Sequence, residues 1–384
     1  MLRNKVFLLS LTLFILLNIF LYCFMSFSHA WLGFNNDQWV YRYLDDPRML
    51  NQPFNFLRGL GVWDAQWYLR IADGGYPIYW VIEYNGLSSY AFFPLYPIII
   101  ASLNFFVNNV ELSAFFVSNI LLLANFFSLY YVISKLYSSK IAIKATWLLF
   151  LFPFSIFYRS YFTEGLFLLL LTWFAYFLIK KKWSATVLFA SLLFITRPNA
   201  IILSLILFWS LYKAVVNKSL SVGVAFLYVA LMLIPYAEWL YFCYLNTGDL
   251  LYWQKAFSLW YPAKSTLYVV IDNIVKIFSF WGLPIHGYHS SKLDTVMVLA
   301  VICFLLVSRR HLKPQLWWIS LLVGVFPLLV KDTASYSRYQ SVLFPLFIYL
   351  ALILNKTYFI IVSFVFFILL CMTSIIFVNW YWLG

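Results

Sequence analysis

The chain alternates long apolar runs with short polar breaks from end to end. Apolar runs occupy 6–27, 92–107, 112–134, 145–158, 162–179, 183–196, 199–216, 220–244, 267–281, 294–308, 315–330, 341–354 and 357–380. Runs of this length predict helices that bury their backbone polar groups internally, as a bilayer requires. The polar breaks hold the prolines, asparagines and charges. The longest break, from Ser28 to Tyr90, carries six of the thirteen acidic residues: Asp37, Asp45, Asp46, Asp64, Asp73 and Glu83.

Charge placement orients these elements. Arg3 and Lys5 precede the first run and put the N-terminus inside. The first run is too long for a signal-peptide core and reads as a retained helix. The segment 28–111 then becomes the first extracytoplasmic loop, with interfacial helices. If every run crossed, Lys180-Lys181-Lys182 and the lysines at 135, 140 and 144 would fall outside, against the positive-inside tendency. Keeping 92–107 and 267–281 on the outer side removes the conflict. The first of these has Pro94 and Pro97 early and ends in asparagines. Arg309, Arg310 and Lys313 then lie inside. The segments 158–164, 196–199, 246–264 and 331–339 lie outside. The expectation is an all-α polytopic membrane protein, one transmembrane domain over 1–384, with about eleven spans (range about 9–13) of a bilayer roughly 30 Å thick.

Composition agrees. Of 384 residues, 64% are hydrophobic and 10% charged. Soluble domains are about a quarter charged. The net charge of +13 is explained by lysines and arginines capping cytoplasmic helix ends, so nucleic acid is not an expected partner, whereas membrane lipid is. Cys23, Cys243, Cys303 and Cys371 lie in apolar stretches without CxxC spacing, which excludes a metal or disulfide frame of that kind. Nucleotide-binding glycine loops and GxSxG elements are missing.

Candidate chemistry gathers on the expected outer side. Trp63-Asp64-Ala65-Gln66-Trp67-Tyr68 places a carboxylate at the start of a short helix between two tryptophans. Such a carboxylate can serve as a general base or simply cap the helix, and tryptophan faces suit the apolar side of sugars. Tyr90-Ala91-Phe92-Phe93-Pro94-Leu95-Tyr96-Pro97 is a rigid start to an aromatic helix. Phe157 to Gly165 holds Arg159 and Glu164; an acid at a membrane helix end needs a partner, and Arg159 or another outer arginine can supply it. Thr196-Arg197-Pro198-Asn199 and Lys331-Asp332 with Ser337-Arg338-Tyr339 supply guanidiniums suited to bidentate phosphate binding or to snorkelling toward headgroups. His286 and His289, spaced i, i+3 without a nearby acid, do not make a metal site. No cofactor is indicated, and no ligand spacing calls for a divalent metal.

The motifs Trp63-Asp64-Ala65 through Gly75-Tyr76, Ala91 to Pro97, Tyr161-Phe162-Thr163-Glu164 and Thr196-Arg197-Pro198-Asn199 resemble, in order and rough spacing over 60–200, the GPI mannosyltransferase family that adds the second mannose (PIG-V). Pro198 stands where that family is expected to carry a small polar residue. Further on, Arg338-Tyr339 followed by Leu343-Phe344-Pro345 is similar to many GT-C glycosyltransferases. The resemblance implies a GT-C fold and inverting transfer of a sugar, typically mannose, from a polyprenyl-phosphate donor to a lipid-linked or glycan acceptor. It implies Asp64 as base, Arg197 and Arg338 on the donor phosphate, and Trp63, Trp67, Tyr68, Glu164, Tyr339 and His286 around the substrates. The reaction would face the extracytoplasmic side of a bacterial inner or plasma membrane, or of the endoplasmic reticulum in a eukaryote. In a bacterium without GPI anchors the acceptor would be a different molecule. Two other readings stay open: a transporter or flippase of a lipid-linked substrate, which predicts midplane charges and repeated halves, and a non-catalytic membrane subunit.

Overall fold

The computed structural model describes residues 2–35, 43–78, 87–260, 264–285 and 290–383. Among these residues there are seventeen α-helices and no β-strand. In chain order they are α1 (Leu2–Ser28), α2 (Phe56–Leu60), α3 (Ala65–Gly74), α4 (Leu95–Val107), α5 (Val110–Leu136), α6 (Ser139–Leu151), α7 (Glu164–Ile179), α8 (Trp183–Phe194) and α9 (Ser204–Val216). There follow α10 (Val222–Thr247), α11 (Tyr252–Trp260), α12 (Thr266–Phe278), α13 (Lys292–Ser308), α14 (Pro314–Val330), α15 (Tyr336–Gln340), α16 (Phe344–Ile353) and α17 (Lys356–Val378). Asp37 and Glu83 of the first loop, and His286 and His289, lie outside the described residues.

Five helical stretches are long and apolar enough to cross a membrane: Lys5–Trp31, Val110–Leu136, Pro198–Val216, Val222–Thr247 and Lys356–Val378. They are compatible with an integral membrane protein. The other expected spans form shorter pieces, such as α8 with 12 residues and α16 with 10. Proline is a main reason. The run 145–158 ends its α-helix at Leu151, and Pro153–Tyr158 continues as a 3₁₀ helix. The residue before a proline is pushed to extended backbone. Accordingly Arg197 adopts φ −152°, ψ 141°, and Pro198–Leu203 resumes as a 3₁₀ helix. These breaks place Arg159, Glu164 and Arg197 at helix ends, where polar side chains can meet. The two runs expected not to cross are α4 and α12, each of 13 residues. That length makes about 20 Å of helix against roughly 30 Å of hydrocarbon. One ionisable residue departs from the expected edge placement: Glu238 sits inside α10.

The polar breaks segregate. Those assigned by charge to one side meet at one end of the bundle, where Asp64, Glu164, Arg197 and Arg338 converge. Breaks assigned to the opposite side also meet. Lys144 donates to the Leu354 carbonyl, and Tyr137 Oη accepts from the Lys313 amide.

The end of α17 clasps the first loop. Asp46, fully buried, accepts from Arg48 Nε and Nη2 at 2.9 Å and from Trp380 Nε1 at 3.1 Å. Arg48 bridges onward to Asn379 Oδ1 and the Val378 carbonyl, with its guanidinium over the rings of Phe34 and Phe54. Trp63 takes φ +60° and packs on Trp380 and Trp382. Burial alone would raise the Asp46 carboxyl; the bonds and charge of Arg48 outweigh it and hold its pKa below the ordinary value. A carboxylate depressed in the fold contributes stability that is present above its unfolded value and is lost as the pH falls through the folded one. Asp46→Asn is therefore expected to cost about 1.5–3 kcal/mol at neutral pH. Its thermal midpoint in detergent should converge on that of the wild type as the pH drops below about 4.

Candidate functional site

Four chain breaks and two short helices build a buried ionic junction at one end of the bundle. Asp64 occupies the position before α3, but its side chain makes no bond to that helix. It reaches instead to Arg338 Nη1 at 2.6 Å. Capping, one of the two readings of this carboxylate, is thus not what the side chain does. Gln66, two residues on, holds the approach to α3: its carbonyl oxygen accepts from the amides of Tyr43 and Leu44, and its amide donates to the Gly61 carbonyl.

Arg338 lies on α15, a helix of only five residues. Three bonds fix it to its neighbours. Tyr336 Oη donates to the Gly324 carbonyl at 2.7 Å, the Ser337 amide donates to buried Asp294 at 2.8 Å, and Gln340 donates to the Val323 carbonyl. A Cβ at Gly324 would come within 2.9 Å of Val301 Cγ1, so any larger residue there must displace that side chain. The guanidinium of Arg338 donates from Nε to Glu164 at 2.6 Å and stacks over Phe157 and Phe162. Burial would lower its pKa, but the carboxylates of Glu164 and Asp64 outweigh that and hold it well above its ordinary value. Arg338 is a permanent cation.

Glu164, at the first position of α7, has no exposed surface. Arg197 Nη2 approaches it at 2.5 Å, and Arg197 Nε donates to Thr163 Oγ1 at 2.6 Å. The aromatic-proline motif joins here too, since the Leu95 amide donates to the Ile195 carbonyl just before Arg197. Two arginines therefore share one buried glutamate, and the second carboxylate is Asp64, with 16% of its side chain exposed. Arg159, a candidate partner for Glu164, turns away: it is fully buried and bonds Asn18 and Ser155, in the gap opened by the Pro153 break.

A cavity of about 390 Å³ opens over this junction. Its polar wall is Asp64, Arg197, Arg338, Lys331, Asn199 and the hydroxyl-bearing Tyr68 and Tyr339. The ring of Tyr339 is a hub, with Lys331 Nζ at 4.7 Å and the guanidinium carbons of Arg338 and Arg197 at 5.7 and 5.8 Å from its centre. Gln254 of α11 adds an amide to the polar wall; the rest is apolar, from Phe92, Ile201, the aromatic residues of α11 and the end of α14. Arg197, Arg338 and Lys331 stand in the polar wall with Asp64, so the cavity suits an anion with an apolar body.

Of the residues singled out in the sequence, Asp64, Tyr68, Arg197, Arg338 and Tyr339 line the cavity. Others assigned to substrate contact do not. Trp63 is buried against the C-terminal tryptophans, because its left-handed backbone turns it away from α3's open side. Trp67 lies behind Phe92 and Trp260, stacked on the first at 5.6 Å and edge-on to the second at 5.4 Å. Glu164 lies beneath the two arginines, where it orients them. His286 falls outside the described residues. Three groups went unassigned: Lys331, Asn199 and α11. Trp253, Phe257 and Trp260 recur at i, i+4 and i+7 on one face of α11, a signal that periodicity could have exposed. No protein-family model matches the chain, and no curated protein does either.

Removing Glu164 leaves two guanidiniums facing each other in a buried site. Glu164→Gln is expected to destabilise the protein by about 3–5 kcal/mol, more than Asp64→Asn, whose partner keeps Glu164. Thermal unfolding of both variants in the same detergent checks the order.

Proposed function

We propose that the protein is a membrane glycosyltransferase of GT-C type that moves a sugar, mannose by resemblance, from a polyprenyl-phosphate donor to a lipid-linked or glycan acceptor. The observation that carries this reading is the shared cavity. One carboxylate that can take a proton stands beside two arginines and a lysine that can hold a phosphate, under an apolar wall that can hold a lipid. In this reading the cavity end is extracytoplasmic, and the shorter helices pair with the five long ones to make about eleven spans of the roughly 30 Å hydrocarbon layer.

The chemistry follows from the placement. The acceptor hydroxyl loses its proton to Asp64 while its oxygen attacks the anomeric carbon. The bond from that carbon to the phosphate oxygen breaks, with inversion, and the lipid phosphate leaves with the electron pair. Arg197, Arg338 and Lys331 stabilise the charge that develops on the leaving phosphate. In the structure Asp64 Oδ2 is held by Arg338 Nη1. A phosphate arriving on Arg338 competes for that guanidinium and frees Asp64 Oδ2. Donor binding thereby readies the base. Asn199 Oδ1, buried at the cavity edge with no donor among the described residues, is placed to accept from a sugar hydroxyl. The apolar wall continues between α14 and Pro198–Leu203, where Leu322, Val323 and Phe326 line a narrow recess.

The transporter reading requires ionisable groups along a path through the bundle. Glu238 lies inside a long apolar helix, yet α10 contributes nothing to the cavity. A non-catalytic subunit would leave Asp64 dispensable.

The purified protein, incubated with a panel of polyprenyl-phosphate sugars and an acceptor extract, is expected to release polyprenyl phosphate with one of them. Asp64→Asn should lower that release by about a hundred- to ten-thousand-fold, the usual contribution of a general base, with thermal stability within reach of the wild type. Near-normal turnover in this variant defeats the mechanism; no release across the panel defeats the reading.

A further inference from the structure

We infer that α10 is a docking helix for a transmembrane helix of a partner protein, one that carries a lysine or arginine facing Glu238. α10 is a 26-residue apolar helix and touches the rest of the chain along one side, through Met232, Trp239, Cys243 and Thr247. The opposite side is exposed along its length. Leu227, Leu231, Ile234, Glu238, Tyr241 and Leu245 all lie open there. Their spacing alternates four and three, a mean of about 3.6, which keeps them in one straight seam along the helix, a face that one helix can offer to another.

Glu238 is the anomaly in that seam. It precedes Thr247 by nine positions, about 14 Å along the helix axis. A helix of this length runs about 39 Å, so centring it on roughly 30 Å of hydrocarbon puts Glu238 about 9 Å inside. A glutamate side chain is too short to reach the headgroups from that depth. No described residue bonds to it, although an acid inside a membrane helix is normally paired or faces a wet interior.

Three occupants compete for this face, and charge decides between them. Lipid tails offer no donor to a carboxylate. A second copy of the chain sits in the bilayer with the same orientation, so its α10 would pack parallel and set Glu238 against Glu238 at equal depth, like charge to like. A partner helix with a basic side chain at that depth pairs the carboxylate and buries the apolar seam together. A polar residue at a single seam position is also what fixes register and partner choice between helices. The inference needs α10 to cross the membrane and is independent of the transfer reaction, since the seam faces away from the cavity.

The test places a photoreactive amino acid at Tyr241 of the full chain in membranes of its native cell and sequences the crosslinked peptides. The expected product joins α10 to an apolar helix of another protein with a lysine or arginine opposite Glu238. Glu238→Gln should reduce the yield about tenfold, in line with a polar contact between membrane helices. Glu238→Lys should abolish it, and an acid in place of the partner's base should restore it. The same photoreactive residue at Met232 should give only crosslinks within the chain. Crosslinks between two copies of the chain, adducts with lipid alone, a partner helix lacking a base at that depth, or a yield unaffected by Glu238→Gln would each overturn the inference.

Discussion

Arg338 is shared between two carboxylates, and the arrangement of the polar end of the molecule depends on that sharing. Glu164 holds its Nε and also holds Arg197; Asp64 holds its Nη1. Each residue comes from a different break between apolar segments. Away from water the alternative to this pairing is an unmatched buried charge, which is costly enough to force the breaks together. The apolar helices supply the bulk of the packing but little direction. The junction gives direction, because only one register of α3, α7, α15 and the Arg197 break satisfies it. The two carboxylates then differ in kind. Glu164 is sealed and fixes the arginines, while Asp64 keeps an open side and remains available to a ligand.

Much of this was legible in the sequence because a membrane leaves few places for charge. An apolar chain with thirteen acids shows its polar breaks plainly, and the breaks at Asp64, Glu164, Arg197 and Arg338 do meet. Which side chain faces which was less legible. Tryptophans on either side of Asp64 look like a sugar platform, yet Trp63 turns toward Trp380 through a left-handed backbone that no propensity signals at a bulky residue. Arg159 and Arg197 were equivalent partners for Glu164 on paper. Pro153 and Pro198 decide between them by where they end the preceding helices. Lys331 and Asp332 are neighbours in the sequence but part in the structure: Asp332 bonds Lys276 on α12 and Lys331 turns to Tyr339. Glu238 was hidden by averaging, since one acid barely changes the hydropathy of a 26-residue run.

The short helices carry more of the specificity than the long ones. α15 has five residues and could not hold a conformation alone. It does so because Gly324, Asp294 and Val323 each take one of its hydrogen bonds, and those three belong to α13 and α14. α11 similarly brings three aromatic side chains to the cavity from a segment of only nine residues. A displacement of α13 against α14 would bear on these three bonds and through them on Arg338.

The clasp between Asp46, Trp63 and Trp380 has a consequence for synthesis. The loop that carries Asp64 is made early, whereas the tryptophan that seats its neighbour lies more than three hundred residues later, and Arg338 is separated from Asp64 by 274 positions. At translation speeds of about 5–20 residues per second, the loop waits on the order of tens of seconds for both. Until α17 is in place, Asp64 lacks the aromatic seat of its neighbour Trp63, whereas Arg338 is held by bonds to α13 and α14 that do not depend on it. The seat beside Asp64 is therefore complete only once α17 closes on the first loop.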